Sequence, residues 1–519
     1  MKKKRINKND THSVTPGRRP AGSNNDEQLT TRHEVKKTIT RQDLMKIDDY
    51  TYEIARTFRS DMRVPARVFT HESMLDDILA DLCLEQLVNV ATLPGIQGYA
   101  FAMPDIHQGY GFPIGGVAAM AINQGGVISP GGIGYDINCG VRLLAANMSA
   151  AELAPKLEDV ATALFHAVPS GVGRGGKLKL SAHELDKVLL HGAQQMLKLG
   201  YGNEQDLELC EEHGVLDGAN PELVSDQAKK RGADQLGTLG SGNHFLEVQK
   251  VDKIYDAHVA QAFGLEKDMV TVMIHCGSRG LGHQTCTDYV KIMMAHAAKW
   301  GIVLPDRELI CAPFTSQQGQ DYFAAMSASA NFAWANRQLI AHWVREAFQS
   351  VLGADIELEM VYDVSHNLGK KERHLINDKE VEVIMHRKGA TRAFGPGRME
   401  IPGKYRAVGQ PVLIPGTMGT ASYVMAGTAQ SMEVAFGSSC HGAGRRMSRA
   451  HAKRTVRGSE LRQELEAQGI VVRCDSDPGL AEEAPVAYKN VDSVVDVVQG
   501  AKLAKKVARL VPLAVIKGG

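Results

Sequence analysis

The segment Met103-Pro-Asp-Ile-His-Gln-Gly-Tyr-Gly-Phe-Pro-Ile-Gly-Gly116 places acidic and imidazole side chains between closely spaced glycines. Glycine permits tight turns and a close approach of the backbone to a ligand, so this segment predicts a loop around an ion or a phosphate. Four more segments combine glycine with Asp, Cys, His or Glu in the same way: residues 134–140, 240–247, 274–280 and 362–369. One histidine in a loop is a weak signal, whereas five such segments together predict a shared metal site.

Short runs of strand-forming residues lie among these segments, at residues 115–122, 140–145, 269–275 and 357–365. Residues 73–91 and 323–351 carry apolar side chains at helical spacing, and Ser73 is a suitable N-cap for the first of these helices. We assign the apolar stripes to the core. Strands and helices alternate irregularly, without an internal repeat, which predicts a mixed α/β or α+β fold.

The order of strands and loops predicts where the metal ligands lie. His275 and His366 each end a predicted strand and open a glycine-containing loop, which places both imidazoles at the rim of a sheet. Asp136 and Cys139 share one glycine-flanked turn and could reach the same ion. Carboxylate, thiolate and imidazole ligands together are compatible with Mn²⁺, Zn²⁺, Co²⁺ or Fe²⁺, and the residue types alone do not choose among these ions.

The composition is that of a folded protein without a strong overall charge. Of 519 residues, 44% are hydrophobic and 23% are charged, and the formal net charge is zero, so nucleic-acid binding would need local basic patches. The eight cysteines include no Cys-x-x-Cys pair, which favours a reducing compartment over a disulfide framework. We find neither an apolar signal-peptide segment nor the ~20 apolar residues of a membrane span, and therefore expect a cytoplasmic protein with no membrane partner.

The beginning of the chain differs from the rest. Residues 1–40 are polar and rich in Lys, Asn, Thr and Arg. Such a composition cannot bury enough apolar surface to offset the entropy lost on ordering. We therefore expect a disordered basic extension over residues 1–40 and a catalytic domain over residues 41–519.

Two loops near the C-terminus are suited to phosphate groups. His441 is followed by Gly-Ala-Gly, whose backbone amides can approach a phosphate closely. Residues 441–458 contain no acid and six basic residues, which are Arg445, Arg446, Arg449, Lys453, Arg454 and Arg457. We favour phosphate contact over a solvated helix face for this cluster. The loop at residues 415–422 offers amides and hydroxyls to a nucleotide, and an ordinary turn is the alternative.

Two common nucleotide signatures are missing from the sequence. Residues 171–178 resemble a phosphate-binding loop as far as Lys177, but Leu178 replaces the Ser or Thr that binds Mg²⁺. The Lys-x-Asp-Gly sequence of lysine-adenylylating ligases is also absent. If the protein is a ligase, its nucleophile is therefore not the usual lysine.

Taken together, these motifs resemble the RtcB family of RNA-splicing and RNA-repair ligases. The likeness runs from about residue 64 to residue 519. It includes Gly-Tyr-Asp-Ile-Asn-Cys-Gly-Val-Arg at 134–142, Glu-Glu-Ala-Pro-Val-Ala-Tyr-Lys-Asn-Val-Asp at 482–492 and Val-Ile-Lys-Gly at 515–518. The resemblance implies an RtcB-like fold, in which central β-sheets flanked by helices surround a two-metal pocket.

The resemblance also implies roles for individual residues. The metal ligands would be Asp136, Cys139, His244, His275 and His366, with Cys139 bridging two Mn²⁺ ions. His441 matches the guanylylated, catalytic histidine. The positions around the guanine nucleotide would be Asn243, His244, Phe245, Leu246, Glu247, His366, Asn367, Pro415, Gly416, Thr417, Met418, Ser422, His441, Gly442, Ala443, Gly444, Tyr488 and Lys517. Glu247 facing the N–H edge of guanine would account for a preference for GTP over ATP.

The implied activity is a GTP-dependent, Mn²⁺-dependent joining of RNA ends in tRNA splicing or RNA repair. His441 attacks the GTP α-phosphate, and GMP then passes from His441 to an RNA 3′-phosphate. A 5′-hydroxyl end displaces the GMP and seals the strand. An end with a 2′,3′-cyclic phosphate is first opened to the 3′-phosphate. An activating protein is a further candidate partner.

Two other interpretations use the same residues. A two-metal phosphoesterase would act on cyclic or terminal RNA phosphates without joining ends, and a metal-stabilised RNA-binding protein would not catalyse a reaction. His441 and Lys517 have no evident purpose in a plain hydrolase. The full set of metal ligands together with His441 argues against a non-catalytic protein, so we expect the ligase.

Overall fold

The computed structural model describes residues 38–171 and 175–518. Its mixed α/β architecture confirms the predicted fold class. The strands in chain order are β1 (Met45–Asp48), β2 (Thr51–Ile54), β3 (Ala66–Phe69), β4 (Ile96–His107), β5 (Ile114–Ala121), β6 (Val127–Ile128), β7 (Gly140–Ser149), β8 (Phe245–Ile254), β9 (Met269–Cys276), β10 (Ala312–Pro313), β11 (Leu358–Ser365), β12 (Asn367–Ile376), β13 (Lys379–Lys388), β14 (Ala390–Arg392), β15 (Pro411–Ile414), β16 (Ser422–Gly427), β17 (Ser438–Cys440), β18 (Val471–Cys474) and β19 (Ala504–Lys517).

The helices lie between and around these strands. In chain order they are α1 (Leu75–Leu79), α2 (Cys83–Val90), α3 (Ala150–Leu153), α4 (Leu157–Ala167), α5 (Ala182–Lys198), α6 (Glu204–Glu208), α7 (Asp226–Gly232), α8 (Ala257–Phe263), α9 (Arg279–Trp300), α10 (Gln317–Leu352), α11 (Ala429–Ala435), α12 (Arg449–Thr455), α13 (Gly458–Ala467), α14 (Asp477–Glu482) and α15 (Val491–Gly500). Within residues 38–171 and 175–518, no helix has the length and apolar character that crossing a bilayer requires.

Two large sheets contain most of the strands. The first has the order β1-β2-β3-β4-β5-β13-β12. The second has the order β11-β7-β9-β8-β19-β16-β15, and β18 pairs with the end of β19. Two short pairs, β6 with β10 and β14 with β17, complete the pairing. In the described part of the chain, all pairs are antiparallel except β3–β4 and β18–β19.

The register of the second sheet brings several strand ends to one edge. β7 begins at Gly140, which lies opposite both Cys276 at the end of β9 and Ser365 at the end of β11. β8 begins at Phe245, opposite His275. Because these neighbours are antiparallel, the starts of β7 and β8 lie at the same edge as the ends of β9 and β11. Every predicted metal ligand lies in or next to one of these strand ends.

Helix α10 is the longest helix of the core. It extends for 36 residues and begins after Ser316, whose hydroxyl accepts a hydrogen bond from the Gly319 N–H. Most residues at positions 322–341 are buried on every face of the helix, which packs against α4, α5 and α9. Burial on every face places this helix in the protein core, although it also carries buried polar side chains such as Asn336 and Arg337. The helix predicted at residues 323–351 is therefore confirmed.

The four predicted strands correspond to β5, β7, β9 and β11, and β7 extends four residues further than predicted. The single helix predicted over residues 73–91 is wrong, because α1 and α2 are separate helices. Between them, the Asp81 carboxylate accepts hydrogen bonds from the N–H of Cys83 at 3.1 Å and of Gln108 at 3.2 Å. A side chain that bonds the backbone in this way competes with continuation of a helix.

Two predictions fall partly outside the described residues. The basic extension over residues 1–40 includes residues 1–37, and the glycine-rich stretch 171–178 includes residues 172–174. The structure describes neither residues 1–37 nor residues 172–174. The extension and the catalytic domain over residues 41–519 therefore stay predictions.

Candidate active site

The five predicted metal ligands form one cluster at the edge of the second sheet. Cys139 Sγ lies 3.5 Å from His244 Nε2 and 3.2 Å from His275 Nε2. His275 Nε2 lies 3.2 Å from His366 Nε2, and His244 Nε2 lies 2.8 Å from Asp136 Oδ2. The ligand atoms fall into two groups that share Cys139, one with His275 and His366 and the other with Asp136 and His244.

This set of donor atoms fits two divalent metal ions. In each group the ligand atoms lie within 4.8 Å of one another. That spacing is compatible with ligand-to-metal distances of roughly 2.0–2.3 Å. Cys139 belongs to both groups, so both groups would share its sulfur. Imidazole, thiolate and carboxylate together suit several first-row divalent metals.

Burial sets the protonation of the ligands. It lowers the pKa of His275 and His366 well below the usual value, so both imidazoles are neutral and keep a lone pair for a metal. It raises the pKa of the Cys139 thiol to about 12, so the thiolate form requires a cation beside the sulfur. For Asp136, burial opposes ionisation, but the charge and hydrogen bond of His244 outweigh it and lower the pKa to about 2.

Arg337 of α10 supports the loops that carry the ligands. Its guanidinium donates to the carbonyl oxygens of Asn138 at 2.7 Å and Cys276 at 2.9 Å. It also forms two bonds to the Asp363 carboxylate, at 2.9 Å and 2.8 Å, and Arg142 donates to the same carboxylate at 2.8 Å. These side chains are fully buried. The network joins the Asp136–Cys139 turn to the end of β9.

His441 lies beside the ligand cluster, directly after β17. Strand β17 is fixed by its pairing with β14, in which Cys440 lies opposite Ala390. The His441 ring centroid is 4.8 Å from that of His366. His441 Nδ1 is 2.5 Å from Oδ2 of Asp105, a fully buried carboxylate that also accepts from the His441 backbone N–H at 3.2 Å. A carboxylate accepts a hydrogen bond from an Nδ1–H group, so this contact favours the tautomer in which Nε2 keeps the lone pair that a nucleophile needs.

His441 and four of the five predicted ligands, namely Asp136, Cys139, His275 and His366, line one cavity of about 430 Å³. This volume is within the range of small-molecule sites, roughly 300–1,000 Å³. Most of the predicted nucleotide-binding residues line the same cavity, namely Asn243, Phe245, Glu247, His366, Asn367, Pro415, Gly416, Thr417, Met418, Gly442, Ala443, Gly444, Tyr488 and Lys517. Residues from distant parts of the sequence therefore share one binding space.

Three predicted residues have other positions. His244 lies in the metal-ligand cluster. Ser422 lies behind the loop at 415–418, where its hydroxyl accepts from the Gly416 N–H at 3.1 Å. Leu246 is fully buried in the hydrophobic core, because side chains alternate between the two faces of β8. Its side chain is not among those that line the cavity.

Glu247 and Lys517 give the cavity a polar wall. Burial raises the pKa of Glu247 to about 8, and its carboxylate accepts a hydrogen bond from Gln249 Nε2 at 2.7 Å. Lys517 Nζ donates to the carbonyl oxygens of Gly242 at 2.6 Å and His244 at 3.3 Å. These bonds tie the end of β19 to the start of β8, which follows the predicted metal ligand His244 and carries Glu247.

Comparison with known proteins shows to which family the chain belongs. The family model described as tRNA-splicing ligase RtcB matches residues 86–518 of the chain. The chain belongs to the RtcB family. It is 57% identical over 478 residues to the tRNA-splicing ligase RtcB of Archaeoglobus fulgidus, covering 92% of this chain and 99% of the relative. Proteins of the same name from Thermococcus kodakarensis (55% over 478 residues; 92% and 99%) and Methanococcus maripaludis (51% over 487 residues; 93% and 100%) are similar.

In this RtcB-family chain, four of the six basic residues after His441 have acidic partners that lie outside residues 441–458. The ion pairs are Arg445–Glu483, Arg449–Glu483, Lys453–Glu482 and Arg457–Glu460. Arg445 and Arg449 line the cavity together with Glu483. The wall is therefore less positive than its sequence indicates, and phosphate contact by these residues stays a prediction.

Three residues of the RtcB-family site have no role in the predictions made from the sequence. Asp105 is part of the opening motif, but its partner His441 lies 336 residues further along the chain. Lys388 ends β13 and lines the cavity, where burial lowers its pKa to about 7. Glu483 pairs with two arginines across the cavity wall. Local spacing reveals none of these contacts, because each joins distant segments.

Proposed function

We propose that this protein is a GTP-dependent, Mn²⁺-dependent RNA ligase that joins 2′,3′-cyclic phosphate or 3′-phosphate ends to 5′-hydroxyl ends through guanylylated His441. The observation that carries the proposal is the position of His441. Its Nδ1 is hydrogen-bonded to Asp105. Its ring lies at the same cavity as ligand atoms that could hold two metal ions. Membership of the RtcB family supports RNA joining, because its relatives are named tRNA-splicing ligases.

In the first step, His441 Nε2 attacks the α-phosphorus of GTP. The nitrogen–phosphorus bond forms while the bond to the β-phosphate oxygen breaks, and pyrophosphate leaves. Asp105 keeps the proton on Nδ1 and stabilises the positive charge that the ring acquires. Divalent ions held by Asp136, Cys139 and the three ligand histidines would neutralise charge on the phosphate oxygens.

The cavity wall supports selection of guanine. An ionised Glu247 can accept two hydrogen bonds from the N1–H and the exocyclic amino group of guanine, and adenine does not offer this pair of donors. Gln249 Nε2 donates a hydrogen bond to the Glu247 carboxylate at 2.7 Å. Phe245 lines the same cavity and offers an aromatic ring to the base. The amides of residues 442–444 are available to the phosphate.

The RNA ends then react in the same cavity. A 2′,3′-cyclic phosphate is first hydrolysed to a 3′-phosphate. A 3′-phosphate oxygen attacks the phosphorus bound to His441, so the nitrogen–phosphorus bond breaks and a 3′-guanylylated RNA forms. The 5′-hydroxyl of the second end attacks the RNA phosphorus, loses its proton and expels GMP. These phosphoryl transfers need the same charge neutralisation and alignment, so one site can serve all of them.

Labelling with α-³²P-GTP tests the first step directly. The protein is incubated with labelled GTP and Mn²⁺ and then separated on a denaturing gel. We expect acid-labile label on the wild type and none on His441→Ala. The matched control is His451→Ala, which removes an exposed histidine of α12 and should retain the label.

Two outcomes would contradict the proposal. Label that persists in His441→Ala would place the guanylyl group on another residue. An unlabelled wild type that still releases phosphate from RNA ends would favour the two-metal phosphoesterase. Joining of a 3′-phosphate strand to a 5′-hydroxyl strand, followed on a sequencing gel, tests the complete reaction.

A further inference from the structure

Three aromatic rings form a continuous strip at the cavity, which we call the aromatic strip. The ring centroids of Tyr110 and Tyr135 are 5.3 Å apart at an interplanar angle of 72°. The Tyr135 centroid is 4.9 Å from that of His283, with an angle of 33°. Both tyrosine rings are partly exposed and line the cavity, and His283 is exposed. None of the three residues has a role in the metal, guanine or His441 chemistry described above.

The aromatic strip and the residues proposed for guanine come from different parts of the fold. Tyr110 lies in the loop between β4 and β5, Tyr135 lies before β7, and His283 lies on α9. Glu247 and Lys517, in contrast, lie on β8 and β19. Tyr135 directly precedes the predicted metal ligand Asp136. The strip is therefore next to the reacting groups while it is built separately from the proposed guanine wall.

The backbone beneath Tyr110 is held firmly although its ring is partly exposed. The Tyr110 carbonyl accepts a hydrogen bond from Lys388 Nζ at 2.5 Å. The Gly111 N–H donates to Glu308 at 2.9 Å. Gly109 exchanges two bonds with the Gln86 side chain, at 2.7 Å and 3.0 Å. A partly exposed ring on a fixed backbone is already positioned for a flat ligand, so little ordering entropy is lost when the ligand binds.

We propose that the aromatic strip binds, by stacking, an unpaired nucleobase of an RNA end that is being joined. This inference rests on the RNA-joining activity proposed above. Stacking on tyrosine or histidine accepts any base, because every base has a flat π-face. Such a platform suits an enzyme whose reacting groups are phosphates and hydroxyls rather than base edges. The occupant is a base next to the reacting phosphate, because Tyr110 and Tyr135 share the cavity of His441.

A double-mutant cycle tests this proposal by measuring RNA affinity with Mn²⁺ and without GTP. The RNAs are a 3′-phosphate strand and a 5′-hydroxyl strand, each made with either a normal or an abasic terminal nucleotide. The proteins are the wild type, Tyr110→Leu and Tyr110→Phe. Affinity is read by fluorescence anisotropy. Because no GTP is present, the result does not depend on guanylylation of His441.

The losses of RNA affinity caused by removing the Tyr110 ring and by removing the base should not be additive. We expect Tyr110→Leu to weaken binding of a normal strand about tenfold, the range of base–aromatic stacking. An abasic terminus should weaken binding to the wild type about tenfold and to Tyr110→Leu less than about threefold. Tyr110→Phe keeps the ring and should retain most of the affinity. The strand that shows the coupling identifies which end occupies the strip.

The matched control is Tyr255→Leu. Tyr255 is also partly exposed, but it follows the opposite end of β8 from the cavity. This variant should bind normal and abasic strands as the wild type does. Additive losses in the Tyr110→Leu cycle on both strands would overturn the proposal, as would unchanged affinity in Tyr110→Leu. If GTP labelling fails but the double-mutant cycle still shows non-additive losses of RNA affinity, the proposed ligase chemistry is rejected and the base-binding role of the aromatic strip is retained.

Discussion

At the scale of single residues, the pair formed by His441 and Asp105 defines the chemistry of the cavity. A neutral imidazole has one protonated and one unprotonated nitrogen, and a buried carboxylate beside Nδ1 determines which nitrogen is protonated. Asp105 is fully buried and lies 2.5 Å from Nδ1. This contact favours the tautomer with the lone pair on Nε2, and in the proposed guanylylation the carboxylate would also compensate the charge that develops when Nε2 attacks phosphorus.

Asp105→Asn should slow guanylylation at least about a hundredfold, the scale of a positioned proton-transfer group. The amide cannot compensate the developing charge. Its N–H₂ group can also donate to Nδ1, which favours the tautomer that is protonated at Nε2 and has no lone pair there. GTP affinity should change little, because Asp105 contacts His441 and not the proposed guanine wall. Single-turnover labelling rates and GTP binding, measured separately, check this expectation. A large loss of GTP affinity at an unchanged rate would contradict it.

Glu247 should make the stability of the GTP-free protein depend on pH. Its folded-state pKa is about 8, whereas an unfolded glutamate has a pKa of roughly 4.3. Between these values the folded protein holds a proton that the unfolded chain releases, so the free energy of unfolding falls as pH rises. Glu247→Gln has no such proton. As the pH rises from 5 to 8, the melting temperature of this variant should therefore increase relative to that of the wild type. If the melting temperatures of the two proteins change with pH in the same way, the assignment is contradicted.

At the scale of elements, the site depends on strand register and on the helix behind it. The antiparallel pairing of β7, β8, β9 and β11 brings their ligand-bearing ends to one edge. Arg337 then joins two of these ends by donating to the carbonyls of Asn138 and Cys276. The ligand geometry is therefore set by long-range hydrogen bonds as well as by the local turns.

Arg337→Met should lower the free energy of unfolding by about 3 kcal/mol or more, because it leaves part of a buried ion pair without its partner. Arg142 continues to contact Asp363 and limits the loss. The control is Arg457→Met, which removes a pair whose arginine side chain is 81% exposed and should cost less than about 1 kcal/mol. Thermal melting of the three proteins provides the comparison, and equal shifts for both variants would refute the role of Arg337.

Elements with a strong local pattern could be predicted from the sequence. The 3.6-residue period predicts most of α10, and the short runs of strand-forming residues predict β5, β7, β9 and β11. The division between α1 and α2 could not be predicted, because the Asp81 carboxylate between them accepts a hydrogen bond from the backbone N–H of the distant Gln108. Likewise, Glu483 reaches Arg445 across 38 residues. Periodicity contains no information on such contacts.

At the scale of the whole molecule, the candidate site lies where the two sheets and the C-terminal segment meet. Tyr110 and Lys388 come from loops and strands of the first sheet, the metal ligands come from the second, and Lys517 comes from the end of β19. The family resemblance brought the ligands and His441 together on the basis of motifs. The parts of the cavity wall formed by Tyr110, Lys388 and Glu483 could not be predicted from the sequence, because these residues are not neighbours in the chain.

Metal binding should therefore stabilise the whole protein. The five predicted ligands lie in or near four strand ends, so ions held there would cross-link these ends in the folded state, whereas an unfolded chain has no assembled site. A ligand at a hundredfold excess over its Kd stabilises the folded state by about 2.7 kcal/mol. Mn²⁺ should raise the melting temperature of the wild type by a few degrees, and EDTA should reverse the increase.

Cys139→Ala removes the atom shared by both ligand groups and should abolish most of this Mn²⁺-dependent shift, whatever its effect on the melting temperature without metal. Cys474→Ala is the matched control, because Cys474 lies on β18 outside both groups and should leave the shift unchanged. Differential scanning fluorimetry over a Mn²⁺ series measures all three proteins without relying on ligase activity. A shift of equal size in Cys139→Ala and the wild type would show that Mn²⁺ binds elsewhere, and the two-ion assignment of this edge would then be wrong.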